Sequence, residues 1–566
     1  MDIITKKMLK PVSSSEPSFD FCLVGTGPVG ISFALELERL GRDVLVLESG
    51  DLEAGSDDAS RAEIVDPLRH APMDIAVCRG LGGTSWTWGG RCVPYDAIDW
   101  VERDFVAESR WPIGPEVVTR FNTRAAEILN CGDSFEIPHP SRLGYGLTAD
   151  SVERWCRRSQ LMRDYREHFI QSERIQISLN TTVTGMQLSP DGRHVESLTV
   201  STPAGPAQVK ARRFVLAMGG VETTRLLLNV QQQWPQHFGG VDGPLGRYYM
   251  GHISGKIASI AFERPGDISE WDFKRDPKAN AFYRRRFMLT PEAQIKHRVL
   301  NTAFWPDNPS FHDPAHRSAV LSAVFLALAF PPTGRRLLPE GIRLAHTGPR
   351  PYHLLPHLRN AVFDAPHAVA DIYRILRDRF VRKPRKPGFL VWNKGGQYAL
   401  NYHAEQIPSR DSRITLAPER DAFGLLRAKI DLRFADQDIQ SVIDSHLVLD
   451  QALRLSAIGS LRFMYGKKEV RDRVYAQAAD GYHQVGSTRM GANERTSVVD
   501  QDVRVHGLPN LFIASSSVFP SSGQANSTFL AVTFALRLAE HLVAQDDVVK
   551  AATPWLATSP TEVAST

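Results

Sequence analysis

Apolar and polar positions at the start of the chain change from one pattern to another. Phe19 to Val24 is a mostly apolar run, which predicts a buried strand. The following segment, ISFALELERLG, has apolar residues at helical spacing and ends at Gly41, so it predicts a helix. DVLVLESG is a second apolar run and predicts a strand that ends at Glu48. Strand, helix and strand in this order are typical of a parallel α/β unit.

Later segments repeat this pattern. RRFVLAMGGVETTRLLLNV, residues 212–230, predicts a strand, a Gly-Gly turn and a helix that return to the same sheet. GLPNLFIASSSVFP, residues 507–520, predicts a short strand, and GQANSTFLAVTFALRLAEHL predicts a long amphipathic helix. Asn526, Ser527 or Thr528 suits the N-cap of that helix. The sheet is therefore expected to draw strands from both ends of the chain.

The middle of the chain lacks these glycine turns and is interpreted as a separate layer. Within it, Arg413–Leu416 and Ala428–Phe434 predict the two strands of a hairpin. We therefore expect an α/β protein (α+β overall) in which a Rossmann-like domain, residues 18–255 and 460–548, is interleaved with a substrate domain. The substrate domain, residues 256–459, is expected to contain an antiparallel sheet with helices, and residues 1–17 and 549–566 are expected to be flexible tails.

Composition limits the protein class. A chain of 566 residues with 42% hydrophobic and 23% charged residues has the balance of a soluble globular protein with two or more cores. A net charge of +4 argues against a dedicated nucleic-acid binder. Five cysteines without CxxC spacing favour a reducing compartment and give no zinc motif. The N-terminal segment has no apolar signal region, so we expect a cytoplasmic location.

The turn after the first strand has the spacing of a dinucleotide-binding fingerprint. GTGPVG contains Gly25, Gly27 and Gly30, with Pro28 beside the second glycine. Gly25 permits a tight turn, Gly27 lets the backbone approach a pyrophosphate, and Gly30 lets the helix pack on the strand. Glu48 would accept hydrogen bonds from the ribose hydroxyls, and its charge argues against the 2′-phosphate of NADP.

A second glycine cluster follows in RGLGGTSWTWGGRCVPYDAIDW, residues 79–100. Such a run predicts a loop whose backbone passes close to a flat or anionic group. A tight surface turn held by aromatic side chains is the alternative interpretation. The residues expected to contact a cofactor here are Gly83, Thr84, Trp88, Gly89 and Gly90.

Five motifs in order resemble those of the glucose-methanol-choline (GMC) family of flavoprotein oxidoreductases. DFCLVGTGPVG with Glu48 resembles its FAD-binding start, LGGTSWTWGG its flavin-flanking loop, and VLAMGGVETTRLLL its third fingerprint. YHQVGSTRMG resembles its catalytic segment, and NLFIASSSVFPSSGQANSTFL its last flavin-binding segment. The resemblance implies FAD as cofactor, and the second and fifth motifs disfavour an NAD-dependent dehydrogenase.

The resemblance also implies roles for two residues. His483 occupies the place of the family base, which takes the hydroxyl proton while hydride passes to flavin N5. Asn526 matches a second polar residue that positions the substrate hydroxyl, and contacts with the flavin are expected from Ser515, Ser527 and Thr528. Without the resemblance, His483 reads as a structural histidine and Asn526 as an ordinary N-cap. No metal site is expected, because no second ligand stands at suitable spacing in this motif.

The substrate and the mode of FAD attachment are expectations of the same kind. Some sugar-oxidising members of the family bind FAD covalently through a histidine in the flavin-flanking loop, and Thr87 stands at the matching position, so FAD should be non-covalent. RCVPYDAIDW and ESRWPIGPEVV resemble the bacterial sugar-oxidising branch and pyranose oxidase, which favours a secondary hydroxyl of a sugar or glycoside. The middle region also contains a group of polar and aromatic residues: Trp392, Asn393, Gln397, Tyr398, Asn401, Tyr402 and His403. They are interpreted equally well as the lining of a carbohydrate site or as solvent-facing positions of a sheet.

Other functions stay open at this point. The alternatives are oxidation of a non-sugar alcohol, an FAD-containing lyase, and a non-redox flavoprotein that acts as a binding partner. The partners expected are a small alcohol or carbohydrate and an electron acceptor, with oxygen, a quinone and a redox protein all open.

Basic residues concentrate within the segment 318–387. Residues 335–386 contain twelve Lys or Arg against four acidic residues, and they follow the apolar run SAVLSAVFLALAF, residues 318–330. That run is too short for a membrane span. Peripheral contact with an anionic membrane, at the inner membrane face, is one interpretation of this insertion. A buried helix followed by solvated basic helices is the other.

Overall fold

A computed structural model describes residues 19–55, 61–140, 143–338, 340–348, 350–363, 365–393 and 395–552. The strands are numbered in chain order: β1 (Phe19–Val24), β2 (Val44–Leu47), β3 (Glu63–Ile64), β4 (Arg91–Cys92), β5 (Leu147–Thr148), β6 (Val152–Trp155), β7 (Ile175–Ser178), β8 (Thr182–Leu188), β9 (Val195–Thr202), β10 (Gly205–Val209), β11 (Ala211–Leu216), β12 (His252–Phe262), β13 (Lys274–Asp276), β14 (Ala281–Arg285), β15 (Phe287–Leu289), β16 (Thr302–Asp307), β17 (Gln397–Glu405), β18 (Arg413–Arg420), β19 (Leu426–Asp431), β20 (Gly459–Phe463) and β21 (Leu511–Ile513).

The α-helices are α1 (Pro28–Arg39), α2 (Met73–Ala76), α3 (Glu116–Thr119), α4 (Asn122–Ile128), α5 (Met162–Gln171), α6 (Gly220–Gln231), α7 (Pro291–His297), α8 (Ala319–Ala329), α9 (Pro331–Leu337), α10 (Glu340–Thr347), α11 (Leu354–Phe363), α12 (Ala365–Leu376), α13 (Asp436–Leu455), α14 (Val470–Gln477) and α15 (Thr528–Ala552). Short 3₁₀ turns lie at Gly83–Trp86, Ala97–Trp100, Pro265–Glu270, Pro314–His316 and Ser516–Val518, and a π turn at Arg377–Val381 follows α12.

The first layer is a parallel five-stranded sheet in the order β21-β11-β1-β2-β7. Strands β1, β2, β11 and β21 occupy the apolar runs expected for this sheet, and their residues are almost all buried, as in a sheet covered on both faces. Helices α1 and α15 pack against each other at this sheet. The α/β fold with a Rossmann-like sheet is confirmed.

The second layer is a six-stranded antiparallel sheet in the order β20-β12-β17-β16-β15-β5. Side chains alternate along β17, because successive residues of a strand point to opposite faces. Tyr398, Leu400 and Tyr402 enter an apolar core with α13 and α14, whereas Asn401 and His403 face the other way. One face of this sheet is therefore available to line a site.

The sheet extends beyond the expected limits of the substrate domain. β12 begins at His252, before residue 256, and β20 begins at Gly459 and runs past the expected boundary. β20 belongs with the antiparallel sheet because it pairs with β12 over Ala258–Phe262. β18 and β19 form the expected hairpin, but its sheet also includes β3 from the N-terminal part, which pairs in parallel with β19.

The last helix differs from the amphipathic helix that the sequence predicts. Its first three turns are buried on every side, including Phe529, Val532, Thr533 and Leu536, because the helix passes through the core of the Rossmann-like layer. It also continues to Ala552, past the expected start of the C-terminal tail at residue 549. The remainder of that tail, residues 553–566, and the expected N-terminal tail lie outside the described residues.

The basic insertion is helical and lies beside both layers. α8 is the buried helix of this unit: Leu321, Phe325 and Leu328 form an apolar cluster with Phe311. Helices α9 to α12 pack around it. Within the part of the chain that the structure describes, no helix is long and apolar enough to cross a membrane.

Candidate active site

The first glycine turn forms the wall of a cleft at the carboxyl end of the parallel sheet. Gly25 has φ +103°, and a Cβ there would lie 2.6 Å from the carbonyl oxygen of Ala217. At Gly30 a Cβ would lie 2.1 Å from the carbonyl oxygen of Gly25, so this glycine lets α1 pack on the turn. A Cβ at Gly27 would meet nothing within 4 Å, so this position faces open space. The turn therefore presents bare backbone and the N-terminus of α1 to the cleft.

The cleft has an empty volume of about 1300 Å³, including space open to solvent. Most of the residues expected to bind a cofactor line it: Gly25, Gly27, Pro28, Glu48, Gly83, Thr84, Ser515, Ser527 and Thr528. Four residues of the same set lie outside the lining: Gly30, Trp88, Gly89 and Gly90. The indole N–H of Trp88 instead donates to the carbonyl oxygen of Ser159 at 2.6 Å, because the loop turns away from the cleft after the 3₁₀ turn.

Glu48 is buried in the cleft wall and is already well supplied with donors. Its Oε2 accepts from the backbone N–H of Thr26 at 3.0 Å and from the Thr26 hydroxyl at 2.5 Å. Its Oε1 accepts from the N–H groups of Gly50 at 2.9 Å and Gly80 at 3.2 Å. These bonds tie the first glycine turn to the second glycine cluster. A ribose contact of Glu48 stays a prediction.

His483 is not itself among the residues that line the cleft, but its neighbours in the sequence, Tyr482 and Gln484, both line it. Its Nδ1 is 2.9 Å from Oδ2 of Asp480, and its Nε2 is 2.5 Å from Nδ2 of Asn526. A carboxylate accepts from Nδ1–H, so Nε2 carries the lone pair and accepts from the amide of Asn526. The structure thus brings His483 and Asn526 together, 43 residues apart in the sequence.

Asp480 was missed by the sequence reasoning, although it stands three residues before His483 and only two before the start of the motif YHQVGSTRMG. Its Oδ1 accepts from the backbone N–H groups of Tyr482 at 2.9 Å and His483 at 3.1 Å. Its Oδ2 accepts from the backbone N–H of His252 at 2.8 Å and from Nδ1 of His252 at 3.3 Å. Burial acts to raise the pKa of Asp480, but His483 and His252 hold it well below its usual range.

Two buried histidines lie behind His483, on the available face of the antiparallel sheet. His252 and His403 are stacked with ring centroids 4.3 Å apart, and His252 meets His483 edge-on at 4.6 Å. Burial lowers the pKa of His252, and burial with neighbouring positive charge lowers the pKa of His403 well below its usual range. Both rings are therefore neutral near pH 7, and Nδ1–H of His403 donates to the carbonyl of Gln524. No local pattern in the sequence indicates this grouping, since it depends on the pairing of β12 with β17.

The imidazole nitrogens of His252, His403 and His483 lie within 4.8 Å of one another, the one such grouping in the described residues. Their arrangement suits hydrogen bonding better than metal binding. Both ring nitrogens of His483, and Nδ1 of both His252 and His403, already have hydrogen-bond partners.

The polar residues expected to line a carbohydrate site are divided by the sheet. His403 is close to His483, with ring centroids 5.6 Å apart, and Asn401 faces the same side. Tyr398 and Tyr402 belong to the opposite, buried face. The other three, Trp392, Asn393 and Gln397, are exposed residues at or before the start of β17.

Comparison with known proteins finds a family match in the C-terminal part of the chain. Residues 408–535, which include His483, Asn526 and the start of α15, match the family model described as GMC oxidoreductase. This part of the chain is similar to the GMC oxidoreductases. GMC oxidoreductases are flavoproteins that use FAD, and the cleft fits such a group, because the N-termini of α1 and α15 and the open backbone of Gly27 all face it.

The related proteins differ in how much of this chain they cover. The 2-methyl-1,2-propanediol dehydrogenase of Mycolicibacterium austroafricanum is 21% identical over 604 aligned residues, which cover 94% of this chain and 96% of that protein. The fructose dehydrogenase large subunit of Gluconobacter japonicus is 39% identical over 61 residues, 11% of each chain. Pyranose 2-oxidase of Tricholoma matsutake is 36% identical over 61 residues, 11% of each chain.

A solved structure shows the same fold. A fungal aryl-alcohol oxidase superposes with a TM-score of 0.53 at 13% identity, covering 94% of this chain and all of that one. The two proteins thus share a fold over 94% of this chain.

Proposed function

We propose that this protein is a GMC oxidoreductase that oxidises a secondary hydroxyl group of a sugar or glycoside, with His483 as the base and FAD bound non-covalently. The observation that carries the proposal is the hydrogen-bonded series Asp480, His483 and Asn526 beside the cleft. Bound FAD supplies the two-electron acceptor for the hydride that leaves the carbinol carbon.

The role of His483 follows from its tautomer. Asp480 fixes the proton on Nδ1, so Nε2 is the atom that can accept the hydroxyl proton of a substrate. The positive charge that develops on the ring then lies beside a buried carboxylate. Asp480 therefore stabilises the charged ring as well as orienting it.

Asn526 is suited to position the substrate hydroxyl. Its Nδ2 donates to Nε2 of His483, and its Oδ1 is buried with no hydrogen-bond partner among the described residues. A substrate hydroxyl placed between these groups would be held by an amide that does not itself take a proton at neutral pH. Asn526 thereby directs the hydroxyl toward Nε2 of His483.

Other residues would hold FAD. The backbone at Gly27 and the N-terminus of α1 suit a pyrophosphate, and the N-terminus of α15, with Ser527 and Thr528, suits the part of the flavin that becomes negative on reduction. Thr87 is exposed and its hydroxyl donates to the carbonyl oxygen of Thr84 at 3.2 Å. A threonine hydroxyl offers no imidazole nitrogen for a bond to the flavin, which supports non-covalent attachment.

The substrate class is inferred from two kinds of support. The 61-residue matches to a fructose dehydrogenase and a pyranose 2-oxidase favour a sugar, as does the polar face that carries Asn401 and His403. A non-sugar alcohol is the second candidate, because the relative aligned over 94% of the chain is named for a diol. Both candidates carry neighbouring hydroxyl groups, and Asn526 with the histidines could bind two such oxygens.

An anaerobic absorbance titration of the purified protein tests the proposal. Aldoses, ketoses, alkyl glycosides, 1,2-diols and simple alcohols are added in turn, and bleaching of the oxidised flavin band is followed. We expect bleaching by sugars or glycosides at the lowest concentrations. Selective bleaching by 1,2-diols would replace the sugar proposal with the second candidate, and a flavin band that no alcohol bleaches would favour a lyase or binding function.

Release of the flavin by acid precipitation tests the mode of attachment. FAD should appear in the supernatant and leave a colourless pellet. A yellow pellet would show a covalent bond and contradict the inference from Thr87.

A further inference from the structure

The basic insertion carries an unusual surface on helices α11 and α12 and the π turn that follows them, residues 354–381. We call these three elements the docking hairpin. Large apolar side chains project into solvent from all of them, and Leu355, Val362, Val369 and Val381 are between 67% and 78% exposed. A surface helix normally keeps such side chains on its buried face. Each element of the docking hairpin therefore exposes large apolar side chains to solvent.

The exposed apolar residues follow the helical repeat. On α11, Leu355, Leu358 and Val362 lie three and four residues apart and so share one face. The stripe on α12 and the π turn has the same spacing and consists of Val369, Tyr373, Leu376 and Phe380. The first stripe spans residues 355–362 of α11, and the second spans residues 369–380 of α12 and the π turn.

A second apolar face of α12 is used for folding. Ala368 is buried against Ala319 and Val320 of the insertion, and Ile372 and Ile375 pack on the same cluster. The exposed stripe is thus additional to the residues that hold the hairpin in place. Its removal should leave the fold intact.

Positive charge surrounds the apolar face. Residues 350–386 contain nine Lys or Arg and three Asp, a net charge of +6, whereas the whole chain carries +4. The rest of the chain is therefore slightly negative. Exposed basic residues stand before α11, within it and after the π turn: Arg350, Arg359, Arg382, Lys383 and Arg385. Apolar stripes flanked by exposed Lys and Arg are the combination that binds an anionic bilayer surface.

We propose that the docking hairpin lies on the surface of an anionic lipid bilayer, with its apolar stripes among the acyl chains and its basic side chains at the headgroups. The sequence had directed attention to the apolar run 318–330, but α8 from that run is buried inside the insertion. The membrane face lies instead on the two helices that cover it.

The same insertion reaches the active site. At Gly341 in α10 a Cβ would lie 2.7 Å from the hydroxyl of Tyr482, and Tyr482 precedes His483 and lines the cleft. Membrane binding would therefore hold the cleft near the bilayer, within reach of a lipid-linked glycan or a quinone. This last consequence depends on the proposed function, whereas binding to lipid does not.

Co-sedimentation of the purified holoenzyme with vesicles tests the proposal without any assay of activity. Vesicles of phosphatidylcholine alone are compared with vesicles that also contain phosphatidylglycerol, at low and at high salt. We expect sedimentation with the anionic vesicles at low salt, and at least tenfold weaker binding to the neutral ones. Absence of binding to anionic vesicles at low salt would overturn the proposal and would favour a protein as the partner of the apolar side chains. Equal binding to both kinds of vesicle would also overturn the proposal.

Two sets of variants identify the surface. L355S/V362S/V369S/Y373S removes the apolar stripes, and R382Q/K383Q/R385Q removes basic charge; each should weaken binding at least tenfold. The matched controls change exposed residues elsewhere, L68S/V241S and K467Q/K468Q/R471Q, and should bind like the wild type. Unchanged flavin content and melting temperature show that each variant is folded. Equal losses in the test and control variants would contradict the assignment to the docking hairpin.

Discussion

Replacement of Asp480 tests how the carboxylate supports His483. In Asp480→Asn the side chain keeps its size but loses its charge. The backbone N–H groups of Tyr482, His483 and His252 point at both oxygens of Asp480, so either orientation of the amide turns an NH₂ group toward a backbone donor. The variant thus loses the acceptor that fixes Nδ1–H or loses backbone hydrogen bonds nearby.

The expected size of the effect follows from the charge. Nδ1 of His483 and Oδ2 of Asp480 are 2.9 Å apart, so the two charges are centred about 4 Å from each other once the ring is protonated. Such a pair interacts by about 4 kcal/mol at an effective dielectric constant of about 20. If this interaction is gained as the proton is transferred, its loss lowers the rate of flavin reduction by about 10³-fold.

The assay is anaerobic stopped-flow reduction of the bound flavin at saturating substrate. We expect a large loss in the rate constant, little change in the substrate concentration that gives half saturation, and normal flavin content. Asp276→Asn is the matched control, because Asp276 also accepts from backbone N–H groups two and three residues ahead but contacts no histidine among the described residues. A rate within twofold of the wild type for Asp480→Asn, with flavin bound, would refute the reasoning.

Three further predictions follow from single positions. Asn526→Ala removes a hydrogen bond to the reacting groups, so kcat/KM should fall by roughly 10- to 100-fold, about 1.5–3 kcal/mol, with FAD retained; unchanged steady-state kinetics would exclude a positioning role. Gly27→Ala should fold normally but bind FAD weakly, because its methyl group projects into open space in the cleft. Gly30→Ala should fold poorly, because its methyl group meets the carbonyl of Gly25. Flavin content and melting temperature distinguish the two variants. Burial lowers the pKa of His446 from 6.5 to about 4, so its contribution to stability is complete above pH 6.5 and is lost as the pH falls toward 4. The loss in the free energy of unfolding is about 3 kcal/mol, so the melting temperature of His446→Gln should drop less on acidification than that of the wild type. An equal drop in both proteins would contradict this prediction.

Local sequence was enough to predict the Rossmann-like unit. The strand, glycine turn and helix from Phe19 to Arg39 are specified by neighbouring residues, since apolar runs, helical spacing and glycine turns are all short-range signals. The same holds for the hairpin of β18 and β19. The partners of these strands were harder to predict: the pairing of β3 with β19 joins segments more than 360 residues apart, and no pattern in either segment indicates it.

The residues of the candidate site were also only partly predictable from local sequence. His483 and Asn526 could be named because each stands in a motif that resembles the family's. Asp480 had a local signal, its spacing of three residues from His483, that could have been used. His252 and His403 reach the site only through the pairing of β12 with β17, which places them on one face of a sheet. The apolar stripes of the docking hairpin also needed the structure, because periodicity alone does not tell which face of a helix is buried.

The measurement that tests the central claim most directly is anaerobic flavin reduction by the best substrate in wild type, His483→Ala and His297→Ala. His297 is an exposed histidine at the end of α7 and serves as the control. A general base contributes about 10²- to 10⁴-fold to such a rate. We predict that His483→Ala binds FAD but reduces it slower by a factor in this range, while His297→Ala matches the wild type. Reduction by His483→Ala at the wild-type rate would contradict the account.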